Sequence, residues 1–183
     1  SSAARLVSSE IVNAVISDSD GAQILNVHQD LVGSSILLES EGGNINGQPR
    51  EVSGRSIDSI VDERNLHAPY FLKLDVQGAE TLALDGATQT LNGTELILLE
   101  VAMFDYFDSG HSFSTMLQYL KNRGFETYDI FNPVYRPLDG ALSQVDLALV
   151  PTDSSLRSEH HYATPAQRER IDSVFRTKFG LRK

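Results

Sequence analysis

Phe71-Leu-Lys-Leu-Asp-Val-Gln-Gly-Ala-Glu80 is the stretch on which the reading of this chain turns. Residues 70–74 (YFLKL) form an almost uninterrupted apolar run of strand length, and residues 96–101 (LILLEV) form a second. Such runs mark strands buried on both faces, as in a parallel sheet covered by helices. Between them, residues 79–91 predict a helix despite Gly86. In an open parallel sheet, ligands bind outside the carboxyl ends of the strands. Asp75 closes the first run and therefore stands at that edge. Glycine at position 78 lets backbone approach a ligand closely or adopt a positive φ.

Working outward, Phe113, Met116, Leu117 and Leu120 fall at i, i+3, i+4 and i+7, an amphipathic helix with Gly124 as its stop. Residues 126–131 and 145–150 then predict two strands, joined by a loop containing Pro133, Pro137 and Asp139-Gly140 and suited to an antiparallel pair. Upstream, residues 11–16 (IVNAVI) run into the turn cluster 17–21, residues 22–27 and 34–38 predict shorter strands, and residues 41–50 predict an exposed loop. Ser56 caps an expected helix over 57–64, with Asp58 in its first turn. Thr164-Pro165 opens a last helix, whose apolar face is Ile171, Val174, Phe175 and Phe179. The expectation is an α/β sheet ending in an antiparallel hairpin, over residues 1–151, with a helical extension over 152–183.

Composition narrows the function. The 183 residues contain no cysteine, which excludes disulfides, thiolate metal ligands and thiol nucleophiles. The net charge is −10, with +3 on residues 152–183 and −13 on the rest. So acidic a body repels nucleic-acid backbones. No apolar stretch approaches the roughly 20 residues that span a bilayer, and no charged-then-apolar leader opens the chain. These features lead us to expect a cytoplasmic protein that partners neither nucleic acid nor membrane; oligomeric state is left open. No GxSxG, Walker A or GxGxxG pattern is present, so a hydrolase reading lacks its nucleophile.

Several polar residues stand where chemistry is possible. Asp75 either faces a ligand or caps the following helix; Glu80 either acts or complements that helix's dipole. Lys73 shares a strand face with Asp75 and needs a partner in an apolar strand, either Asp75 or Glu100. Glu100 ends the second run at the same sheet edge. Asp146 reads as a pairing or loop-anchoring acid. His111, in a Gly-Ser-rich loop on the ligand side, is either a general base or a solvated histidine. The adjacent His160 and His161 have no spacing that makes a metal site.

The stretch FLKLDVQGAE, continued by Leu84-Asp85-Gly86-Ala87, resembles the hallmark of the FkbM-type methyltransferases, usually close to KxDVEGAE…LxGA. Other segments resemble the family in the same order. They are residues 12–21 (VNAVISDSDG), Gly33-Ser34-Ser35, residues 55–60 (RSIDSI), 98–101, 119–125 (YLKNRGF) and 144–146. The resemblance covers about residues 11–151, with Gln77 where glutamate is usual. It implies a Rossmann-like class I methyltransferase sheet, mainly parallel with an antiparallel last strand, whose first two strands would lie upstream of this sequence. It further implies S-adenosylmethionine as cofactor and O-methylation of a hydroxyl on a small molecule or sugar. Asp75, Glu80 and Lys73 would be the catalytic group, and Asp18, Ser35 and Asp75 would border the cofactor. The competing reading is a non-catalytic fragment or binding module that lacks a complete cofactor site.

Overall fold

The computed structural model describes residues 9–29, 31–41 and 45–180. Two compact units divide the chain, Ser1–Thr152 and Asp153–Lys183. The first unit is mixed α/β, and its strands fall into two sheets rather than the single sheet expected.

The smaller sheet contains β1 (Val15–Ile16), β2 (Gly21–Val27) and β3 (Gln48–Arg55), in the order β1-β3-β2. β1 runs parallel to β3 and β2 antiparallel to it, with Gly21 opposite Gly54 and Val27 opposite Gln48. β3 begins inside the segment expected to be an exposed loop, because its backbone completes the ladder of β2 whatever its side chains. Within that loop, residues 42–44 lie outside the described residues. The strand expected at 34–38 is absent as such; Ser35 makes an isolated bridge to Asn26 instead. Ser56 caps α1 (Ile57–Glu63) by accepting from the Ser59 amide at 3.1 Å. Asp58 reaches from this helix to the amides of Gln89 and Thr90 at 2.9 and 2.8 Å.

The larger sheet contains β4 (Tyr70–Leu74), β5 (Thr94–Ala102), β6 (Phe125–Tyr135) and β7 (Leu142–Pro151), in the order β4-β5-β7-β6. β4 and β5 are parallel, while β7 is antiparallel to both β5 and β6. Three strands thus point one way and the last in sequence points the other. Pro133 sits within β6 where its register shifts, tolerable because β6 is an edge strand. Between β4 and β5 the expected long helix is only α2 (Glu80–Asp85), followed by a 3-10 turn at Thr90–Gly93. α2 stops at Gly86, where a Cβ would strike the carbonyl oxygen of Ser17. α3 (Phe113–Lys121) follows the amphipathic pattern, with Met116 and Leu120 buried.

The core lies between one face of this sheet and the two helices: Ile97, Leu99 and Val101 from β5 and Val145, Leu147 and Leu149 from β7 meet Leu84, Met116 and Leu120. The other face is only partly covered. Leu96, Leu98, Glu100 and Ala102 are half-buried, and on β4 Phe71 and Lys73 are exposed. Burial of both faces of β4 is therefore corrected. It is an edge strand among the described residues, and alternate side chains escape the core.

The second unit carries α4 (Pro165–Phe179), which Thr164 and Gln167 close with a capping box. No residue of this helix is buried, and Val174, Phe175 and Phe179 are exposed, contrary to the expectation from its apolar face. No helix among the described residues is long and apolar enough to cross a membrane.

Candidate active site

The carboxyl ends of β4 and β5 open onto a cavity of about 200 Å³. The turn after β4 builds one wall. Gln77 and Gly78 both have positive φ, +50° and +90°, so the chain reverses within two residues and delivers Glu80 to the start of α2. A Cβ on Gly78 would strike the ring of Phe107, which is why only glycine serves at this wall. Glu100 and Ala102 from β5, Gln144 from β7, the aromatic run Phe104, Tyr106 and Phe107, and His111 complete much of the lining. Glu39, Glu41 and Asp105 add three further carboxyls, and among the described residues no lysine or arginine lines the cavity.

The acids differ in environment. Glu80 is 6% exposed. Burial pushes its carboxyl above the ordinary glutamate range, partly offset by backbone amides, among them that of Gly78 at 3.1 Å from Oε1. Glu100 is also raised, by burial first and then by the Asp75 and Asp146 carboxyls; Lys73 and Gln77 act in the opposite direction. Its Oε2 accepts from Gln144 Nε2 at 2.7 Å. Asp75 is half exposed and does not line the cavity. Its Oδ2 accepts from Lys73 Nζ at 3.2 Å and its Oδ1 from Gln77 Nε2 at 3.1 Å, which joins it to the cavity wall.

Lys73 therefore takes Asp75 as its partner, in the open rather than in a buried strand. Asp75 does not cap α2, whose N-cap is Ala79 with no side-chain bond. Ser35 is buried, and its hydroxyl donates to the Gln77 carbonyl at 2.6 Å and accepts from the Leu37 amide at 3.0 Å. It fastens the first sheet's loop to the turn after β4. Asp18 lies elsewhere: its Oδ1 accepts from Ser17 and Ser19, and its Cα lies against Gly86, at the end of α2 remote from Glu80. Asp146 accepts from Asn132 Nδ2, on neighbouring β6, at 2.7 Å. His111 lines the cavity, its Nδ1 3.4 Å from Thr81 Oγ1. His160 and His161 are exposed in the other unit. Among the described residues no group of three His, Cys, Asp or Glu side chains converges to hold a metal ion.

Sequence reasoning missed the aromatic wall and Gln144. The signal for the former was present, since the run 104–108 (FDYFD) directly follows β5 at the ligand edge. Glu39 had no such signal, because it arrives through an isolated bridge to Phe107.

The cavity at the ends of the parallel strands stands where an open α/β sheet places its ligands. The model of the methyltransferase FkbM domain matches residues 9–127, more than half of the chain and all of the turn between β4 and α2. The chain belongs to the FkbM methyltransferase domain family. No match was found among curated proteins or among solved structures.

Proposed function

We propose that the chain supplies the reaction side of an S-adenosylmethionine-dependent O-methyltransferase acting on a hydroxyl of a small molecule or sugar. The observation that carries this reading is the placement of the family's signature turn. Gln77, Gly78 and Glu80 form the wall of the cavity at the ends of β4 and β5. The lining fits the cationic end of the cofactor, since its carboxyls favour a sulfonium over water. The same lining disfavours carboxylate and phosphate acceptors and is compatible with a neutral hydroxyl.

When bound, S-adenosylmethionine supplies an electrophilic methyl group. The chain's residues must align the acceptor with it, exclude water and take the hydroxyl proton. Asp75, which stands outside the cavity and is joined to its wall by Gln77, is assigned the proton on the family resemblance. Lys73 and Gln77 each hold one of its oxygens, leaving further lone pairs on both free to accept. Glu80, buried and held by the Gly78 amide, orients the acceptor from inside the cavity. Ser35 supports this turn through the Gln77 carbonyl. A role for Asp18 at the cofactor's adenine end rests on the family resemblance.

A second reading has its own support. A cavity of about 200 Å³ is smaller than the roughly 300–1,000 Å³ of most small-molecule sites, and Asp18 stands apart from it. Both favour a module that holds only part of the cofactor. Titration calorimetry with S-adenosylmethionine on this chain separates the two. Micromolar binding with methyl transfer to a hydroxylated acceptor is expected of the enzyme; no heat at millimolar cofactor would establish the non-catalytic reading.

A further inference from the structure

We propose that His111 is a ligand-binding residue of the cavity, and that its imidazole bonds a hydroxyl of a neutral, polyhydroxylated acceptor such as a sugar. The sequence leaves this histidine as either a general base or a solvated loop residue; its surroundings favour the site. His111 is half-buried and lines the cavity together with Glu80. Its ring is held on two sides. Nδ1 lies 3.4 Å from Oγ1 of Thr81, a buried residue of α2 that directly follows Glu80. The Tyr119 ring of α3 packs against the imidazole, with centroids 5.8 Å apart and planes tilted by 58°. Tyr119 is itself fixed. Its hydroxyl lies 2.7 Å from Asp85 Oδ1 and 3.1 Å from the Thr81 carbonyl oxygen, and the Arg123 guanidinium stacks 3.6 Å from its ring centroid.

Other polar side chains of the wall are bonded within the protein. The Gln77 amide donates to Asp75, the Gln144 amide donates to Glu100, and the Tyr106 hydroxyl lies 2.9 Å from Ser143 Oγ. Glu80 Oε1 takes the Gly78 amide. His111 Nε2, by contrast, has no hydrogen-bond partner among the described residues, whereas Thr81 engages the other ring nitrogen. A neutral imidazole nitrogen donates to a hydroxyl or accepts from it, according to its tautomer. A polar group whose orientation is already fixed gains that bond only from a ligand that places a hydroxyl there. The carboxyls of Glu39, Glu41, Glu80, Glu100 and Asp105 around the same space disfavour an anionic ligand. That the ligand is a methyl acceptor rests on the proposed methyltransferase reading; the contact with His111 does not.

The test is a titration of this chain with methyl α-glucoside, a neutral sugar, followed at constant pH by NMR of the backbone amides and of the His111 ring nitrogens. The ring nitrogens are expected to shift together with the amides of Gly78 and Thr81, at a common midpoint. His111→Phe keeps a ring against Tyr119 and removes both nitrogens. It is expected to weaken the sugar by about threefold to tenfold, the effect of losing one hydrogen bond. Thr81→Val removes the partner of Nδ1 while Nε2 stays, and is expected to weaken the sugar by less. Intact amide spectra confirm the fold of each variant. The proposal is overturned if the sugar shifts neither set of signals, if it shifts the amides and leaves the His111 ring unchanged, or if His111→Phe binds as tightly as the parent chain. A larger loss in Thr81→Val than in His111→Phe overturns it too, since Thr81 would then be the ligand's partner. The titration contains no cofactor, so its failure is distinct from that of the calorimetry with S-adenosylmethionine.

Discussion

Replacing Asp75 by asparagine should separate chemistry from stability. The side chain is 49% exposed, and its cationic partner Lys73 is 61% exposed. An ion pair this open contributes about 0–1 kcal/mol after screening by water and salt. Asparagine keeps one oxygen as acceptor for Gln77 Nε2, so that bond survives. The expected stability loss is thus below about 1 kcal/mol, a fall of at most about 2–4 °C in Tm for a chain of this size. Loss of a positioned proton acceptor, by contrast, costs about 10²–10⁴ in rate. The assay pairs calorimetric melting with transfer of labelled methyl from S-adenosylmethionine to a panel of hydroxylated acceptors. Lys73→Met controls for loss of the ion pair without loss of the carboxylate. The reasoning is refuted if Asp75→Asn retains transfer within a few-fold. It is equally refuted if the variant loses more than about 2 kcal/mol and its activity merely tracks the folded fraction.

Two further outcomes follow from the same turn. Burial raises the folded-state value of Glu80 above its ordinary 4.5. The stability contributed by its protonated form is therefore complete below the unfolded value and lost as pH rises through the folded one. Glu80→Gln fixes the neutral form, so it should melt no higher than the parent chain at pH 4 and above it at pH 8; thermal melts in which the parent is the more stable at pH 8 would show that the ionised form is the one the fold requires. Gly78→Ala puts a side chain at φ +90° against the Phe107 ring. It should cost about 1–3 kcal/mol of backbone strain and weaken any ligand of the cavity, checked by melting and calorimetry together.

The sequence made the larger sheet legible because its strands and α3 bury continuous or periodic apolar faces, and those patterns are local. The antiparallel end was legible too, from the length of the loop before β7. The smaller sheet was less so. β3 carries Pro49, Arg50, Glu51 and Gly54, with no apolar alternation, and it is a strand only because β2 offers it a backbone ladder. β4 looked buried because apolarity is visible in sequence, whereas its edge position among the described residues is not. At the site, Glu80 was recognisable from its place after a strand, whereas Asp75 and Lys73, expected at the same edge, stand outside the cavity. That Asp75 stands outside the cavity while Glu80 is sealed inside it depends on two positive-φ residues between them, and on an aromatic ring thirty residues downstream.

That separation bears on how one short turn could serve both halves of a transfer. Two carboxyl groups in one site can take different roles only if their surroundings push them apart. Here the turn does so by geometry. It exits β4 toward solvent at Asp75, reverses at Gln77 and Gly78, and enters α2 at Glu80, which burial biases toward the protonated form. Asp75 has an ammonium and an amide against its oxygens; Glu80 has backbone amides and a desolvated wall. A ligand in the cavity meets Glu80 directly, and Asp75 only through Gln77, which lines the wall and donates to its Oδ1. The reversal at Gln77 and Gly78 carries the chain to Glu80 at the cavity, and the Ser35 hydroxyl on the Gln77 carbonyl ties that turn to the loop after β2.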